Sequence, residues 1–123
     1  MPRTILIVED DSDAREIYAA ALAAHGYRVV TAVHGAEGVH LARKNRPDLI
    51  LMDLKMPIMD GLNALRYIKS DPAISHIPVW AISAYLSDDE GPEELGRMRF
   101  DRLLAKPMDP NAMVDQVASF LPA

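Results

Sequence analysis

The 123 residues contain no cysteine, which excludes a disulfide framework, a thiolate metal site and a cysteine nucleophile. No apolar run approaches the roughly 20 residues that cross a bilayer. The opening Met1-Pro2-Arg3-Thr4 leads into an apolar stretch too short for the core of a signal peptide, so the expected location is the cytoplasm. Positive charge is also in short supply. The formal net charge is −5 and the basic residues are scattered rather than striped along one helix, which argues against direct contact with nucleic acid. What remains is a balance of 50% apolar and 25% charged residues, ordinary for a globular protein. The length suits one domain over residues 1–123, with a core of its own.

The stretch Leu49-Ile50-Leu51-Met52-Asp53 organises the rest. An apolar run stops at a carboxylate, and a proline loop and Asp60-Gly61 follow, which is how a buried strand delivers a reactive group to the edge of a sheet. Taken alone, Asp53 could equally be a turn residue after a strand. Its surroundings decide. Thr4–Val8 is a second apolar run, and it empties into Glu9-Asp10-Asp11. Ser12 or Asp13 is expected to cap a first helix with Ala14, Ile17, Ala21 and Ala24 at helical spacing, widened by Tyr18 and Leu22 and closed by His25-Gly26. Arg28–Ala32 reads as a shorter strand. A helix from about Ala36 to Asn45 follows, with Val39 and Ala42 inward, ended by Pro47.

Beyond Asp53, Asp60 is expected to cap a third helix with Gly61, Leu65 and Ile68 on one face, ending at Ser70-Asp71-Pro72. Pro78–Ser83 is the fourth strand. Asp88-Asp89-Glu90-Gly91-Pro92 then breaks the chain before a short fourth helix from about Pro92. Leu103–Ala105 is a fifth strand ending at Lys106-Pro107. Asp109-Pro110 opens a last helix with Val114, Val117, Ala118 and Leu121 inward. Strands alternating with helices predict a doubly wound α/β fold, a five-stranded parallel sheet with five helices on its two faces. Such a sheet puts all strand ends on one side, and four of them carry polar groups: Glu9-Asp10-Asp11, Asp53, Ser83 and Lys106.

Two carboxylates about 4 Å apart repel by roughly 4 kcal/mol at an effective dielectric near 20. A proton, Lys106 or a hard divalent cation must therefore accompany them. Carboxylate and carbonyl oxygens without histidine or cysteine favour magnesium. Metal, lysine, hydroxyl and a free carboxylate are the parts of phosphoryl transfer, with Asp53 as nucleophile. The histidines His25, His34, His40 and His76 fall away from the strand ends and read as surface residues.

These four clusters, in this order and over nearly the whole chain, resemble the receiver domains of response regulators in two-component signalling. The residues that carry the resemblance are Val8-Glu9-Asp10-Asp11, Met52-Asp53-Leu54-Lys55-Met56-Pro57-Ile58-Met59-Asp60-Gly61, Ser83-Ala84 and Lys106-Pro107. The resemblance implies a flavodoxin-like sheet in the strand order 2-1-3-4-5, and a signalling switch rather than a metabolic enzyme. It implies phosphorylation on Asp53 and a magnesium site from Glu9, Asp10, Asp53 and the backbone carbonyl of Lys55, with Asp10 and Asp53 the more direct ligands. The hydroxyl position falls on Ser83 and the lysine on Lys106. Pro107 matches a proline that often follows a cis bond, and Asp11 falls on a variable position at the helix start. A sensor histidine kinase or histidine phosphotransfer protein would donate the phosphoryl group. A downstream protein would read the face of the fourth helix, fifth strand and last helix.

The chain departs from that pattern in places. Leu103 stands where many relatives carry a switching aromatic, and Arg99-Phe100-Asp101-Arg102 replaces a glycine-rich turn, with Phe100 read as core. Lys55 and Tyr85, two residues beyond Asp53 and Ser83, would crowd an attacking water and lengthen the life of a phosphoryl group. Trp80 is expected in helix-packed core. The chain could be a stand-alone receiver or a module of a hybrid kinase or multidomain regulator. A haloacid-dehalogenase-like phosphohydrolase would need an acid where Lys55 stands, and a flavodoxin-like cofactor binder would need a hydroxyl- or glycine-rich first loop.

Overall fold

The computed structural model describes residues 2–54, 59–83 and 100–123. Five strands, β1 (Thr4–Val8), β2 (Arg28–Ala32), β3 (Leu49–Asp53), β4 (Val79–Ser83) and β5 (Arg102–Ala105), form one parallel sheet in the order β2-β1-β3-β4-β5. The described helices are α1 (Ser12–Ala24), α2 (Gly35–Asn45), α3 (Gly61–Ser70) and α4 (Pro110–Phe120). The sheet order is the expected one. Four helices are described against five expected, because the helix expected from about Pro92 lies outside the described residues.

Period-2 alternation divides the apolar strands between two cores. Ile5, Ile7, Leu49, Leu51, Trp80, Ile82 and Leu104 face Tyr18 and Leu22 of α1 and Met113, Val114 and Val117 of α4. Leu6, Val8, Ile50, Met52 and Val79 face Val39 and Ala42 of α2 and Ala64, Leu65 and Ile68 of α3. Trp80 is buried as expected. Its ring lies 5.3 Å from that of Phe120, and the Arg102 guanidinium sits 4.5 Å above it. Phe100 packs against the second core from its edge.

Two local expectations change. Ile17 is 51% exposed and Ala24 is exposed too, and the buried stripe of α1 runs through Tyr18 and Leu22, expected only to widen it. Tyr18 and Leu22 stand one above the other at i and i+4 and face the sheet, and Ile17 is left on the flank. The cap of α1 is Asp11, whose carboxylate accepts from the backbone of Asp13 and Ala14, rather than Ser12 or Asp13. The helix therefore begins one residue nearer the acidic loop, and the third acid of that loop is spent on the helix. Caps at Asp60 and Asp109, with Pro110 inside the first turn of α4, stand as expected.

Candidate functional site

The register carries three side chains to one point. Val8 pairs with Met52, so the chain leaves β1 at Glu9 beside the end of β3 at Asp53, and Glu9 N–H extends the ladder to Ala32 O at 3.0 Å. Ser83 pairs with Ala105, and Lys106 N–H donates to Ser83 O at 2.8 Å. Continuing the strand alternation, Glu9, Asp53 and Lys106 fall on the face of α1 and α4. Lys106 Nζ accordingly donates to Glu9 Oε1 and, at 3.2 Å, to Asp53 Oδ2. Ser83 is buried on the opposite alternation and is tied to Lys106 through the backbone. The Lys106–Pro107 peptide is cis.

Oxygens of Glu9, Asp10 and Asp53 lie within 4.8 Å of one another. Glu9 is fully buried, Asp53 is nearly so, and Asp10 is exposed at the rim. With all three acids ionised, one ammonium leaves two negative charges in excess. Burial pushes the Glu9 carboxyl up to about 8, reinforced by its hydrogen-bonding contact with Asp53 and that residue's charge, against the pull of Lys106. Burial draws the Lys106 ammonium down, but its hydrogen bond to Glu9 and the charges of Asp53 and Glu9 outweigh this and raise its pKa. Among the described residues, Glu9 Oε2 is buried with no hydrogen-bond partner. A buried carboxylate oxygen without a donor, beside two more oxygen ligands, is the chemistry of a hard cation site. The donor set fits magnesium.

A family model of the response regulator receiver domain matches residues 5–118. The chain belongs to this family. It is similar to the polar-differentiation response regulator DivK of Brucella anthropi, 33% identical over 122 residues that cover 98% of each chain. Among solved structures this receiver domain resembles chemotaxis protein CheY4 of Vibrio cholerae, with TM-score 0.89 and 25% identity over 98% of this chain and 100% of that one. It also resembles the receiver domain of sensor histidine kinase PA1611 from Pseudomonas aeruginosa, with TM-score 0.87 and 29% identity over 100% of both chains. That structure has a magnesium ion coordinated in its active site cleft. Receiver domains are signalling switches of two-component systems, and the acidic cluster of this one is consistent with magnesium binding.

Lys55, Ala84 and Tyr85 lie outside the described residues, so the expected carbonyl ligand and the two water-crowding side chains receive no structural account. Of the four histidines, His25, His40 and His76 are exposed. His34 is half-buried and structural: its Nδ1 accepts the Glu37 backbone N–H and caps α2. Two residues near the site were not read from sequence. Tyr18 is buried in the core against which Met108, two residues past Lys106, also packs. Arg15 reaches the acidic loop, with Nη1 2.9 Å from Glu9 O and 3.4 Å from Asp10 O. An arginine one helical turn past a capping acid is the signal that could have marked it.

Proposed function

We propose that this receiver domain takes a phosphoryl group onto Asp53 from the phosphohistidine of a sensor histidine kinase or histidine phosphotransfer protein. The observation that carries the reading is the convergence of Lys106 on Asp53 and Glu9 in a chain of this family. Asp53 Oδ attacks phosphorus as the P–N bond to the donor imidazole breaks, and the imidazole nitrogen regains a proton. Lys106 faces the oxygens of the transferring group. Ser83, at the end of β4, is the hydroxyl assigned to one of them. Glu9, Asp10, Asp53 and the Lys55 carbonyl are the groups assigned to hold magnesium, which when bound neutralises developing charge and draws the acids together.

The phosphorylated form adds about −1.5 to −2 charges at the rim and changes affinity for a downstream protein. The face assigned to that partner combines the expected fourth helix, β5 and α4. Leu103 in place of an aromatic means that the signal travels without the ring rotation of many relatives. Residues 1–123 act as one receiver unit, in the cytoplasm, with no direct contact to nucleic acid or membrane. The test is incubation with acetyl phosphate and magnesium, followed by intact mass. The wild type gains one phosphoryl group and Asp53→Asn gains none; equal labelling of the two proteins overturns the reading.

A further inference from the structure

The proposed chemistry depends on two consecutive residues pointing their carboxylates in different directions, Glu9 into the sheet mouth and Asp10 to its rim. That divergence is set by the loop backbone, which is held from two sides. Glu9 N–H is tied to Ala32 O at 3.0 Å, which fixes one side of the residue. On the other side, Arg15 Nη1 donates to Glu9 O at 2.9 Å and to Asp10 O at 3.4 Å. Arg15 is itself anchored, because its own N–H closes the first turn of α1 on Asp11 O at 2.9 Å, and the Asp11 carboxylate caps that turn. Side chains on a helix lean towards its N-terminus, so a residue in the first turn is well placed to reach back over the cap. The rigid start of α1 thus brackets the two peptide carbonyls that orient the acids.

We propose that Arg15 is a positioning residue for the divalent-cation site: it holds the Glu9-Asp10 backbone so that both carboxylates meet Asp53. The proposal rests on the reading above that these acids bind magnesium. Arg15 touches neither cation nor phosphoryl group, and its charge opposes cation binding. Charge and geometry therefore predict opposite signs. Deleting a positive group beside a cation site tightens binding, whereas releasing the ligands' backbone weakens it. Groups that orient metal ligands without touching the metal are worth roughly ten- to hundredfold in affinity.

The experiment is calorimetric titration of magnesium into the wild type, Arg15→Ala and Arg15→Lys, with thermal melts to confirm folding. Amide hydrogen exchange is followed at residues 9–11 in the metal-free proteins. Arg15→Ala is expected to bind magnesium roughly tenfold more weakly or worse. It is also expected to exchange faster in the acidic loop, and Arg15→Lys should fall between it and the wild type. At saturating magnesium the acetyl phosphate reaction of Arg15→Ala returns towards the wild-type rate. Unchanged or tighter magnesium binding in Arg15→Ala, or unaltered loop exchange, overturns the proposal. A wild type that binds no magnesium overturns the functional reading instead. In that case the exchange arm alone decides whether Arg15 holds the loop: faster exchange in Arg15→Ala retains that role, and unchanged exchange removes it.

Discussion

Gly61 stands against Asp53 so closely that a Cβ there would lie 2.4 Å from the Asp53 carbonyl oxygen and 3.0 Å from Leu54 Cα. The obstacle is backbone on both sides, since Leu54 N–H is bound to Ile82 O at 3.0 Å and Gly61 N–H to Leu54 O at 3.2 Å. A methyl group cannot be absorbed by a rotamer change. Gly61→Ala must push the start of α3 away from the end of β3 and shift the acid with it. Forcing an extra carbon into such a contact costs about 1–3 kcal/mol. A lowered melting temperature together with slower acetyl phosphate labelling is expected. Wild-type labelling in Gly61→Ala would show that the close approach has no bearing on Asp53.

Lys106 competes with a cation for the oxygens of Glu9 and Asp53. Lys106→Met removes that charge while leaving most of the side-chain volume. Two opposite consequences are expected. Magnesium binds severalfold more tightly, because the excess negative charge grows at short range. Phosphorylation of Asp53 falls steeply, because the ammonium facing the transferring oxygens is gone. Calorimetry and intact mass on the same preparation separate the two. If the variant labels at the wild-type rate, Lys106 acts only as a counter-ion.

His34 at the start of α2 caps its helix through the imidazole. Its Nδ1 accepts the Glu37 N–H at 3.1 Å, and Glu37 Oε1 accepts the Val33 N–H at 3.1 Å. This is a capping box displaced by one residue, since Glu37 reaches the residue before the cap, and an imidazole takes the place usual for a small polar side chain. His34→Ala is expected to cost about 0.5–2 kcal/mol in denaturant unfolding, and His34→Ser to recover most of it. Equal midpoints for Ala and Ser at this position would mean that the bond contributes nothing to α2.

The fold was legible because strand-like runs alternate with helices, four of the five runs stop at polar residues, and parallel strands leave few other arrangements. The site was legible for the same reason: charge at a strand end is conspicuous after an apolar run. Less legible were contacts that depend on packing. Helical spacing put Ile17 inward with Ala14, Ala21 and Ala24, but the sheet-facing stripe centres on Tyr18 and Leu22, which that spacing only used to widen it. The burial of Glu9 was likewise hidden, since it shows only once β1 and β3 are in register. Arg15 was overlooked because a half-buried arginine on a helix reads as solvated surface until its reach to two carbonyls is known.

The raised pKa of Glu9 makes metal-free stability depend on pH in a defined direction. The carboxyl titrates ordinarily near 4.5 and in the folded protein near 8, so between those values the folded state holds a proton that the unfolded chain has released. The contribution to stability is complete below about 4.5 and is lost as pH rises through about 8. Among the described residues, the other shifted groups act outside this window. Asp71, lowered from 3.8 by the Ala73 backbone N–H and by Arg43, acts below it. Lys106, raised from 10.5, acts above it. Tyr18 and Tyr27, raised from 10.0 by burial, also act above it. Denaturant melts in chelator are therefore expected to show stability falling from pH 5 to pH 8 in the wild type and a flatter profile in Glu9→Gln, which carries no titrating group there. Magnesium binding to the same carboxylate should release protons below about pH 8, so its affinity should rise with pH in the wild type and less in Glu9→Gln. A wild-type profile that climbs with pH, or one that Glu9→Gln leaves unchanged, would place the buried proton elsewhere than on Glu9.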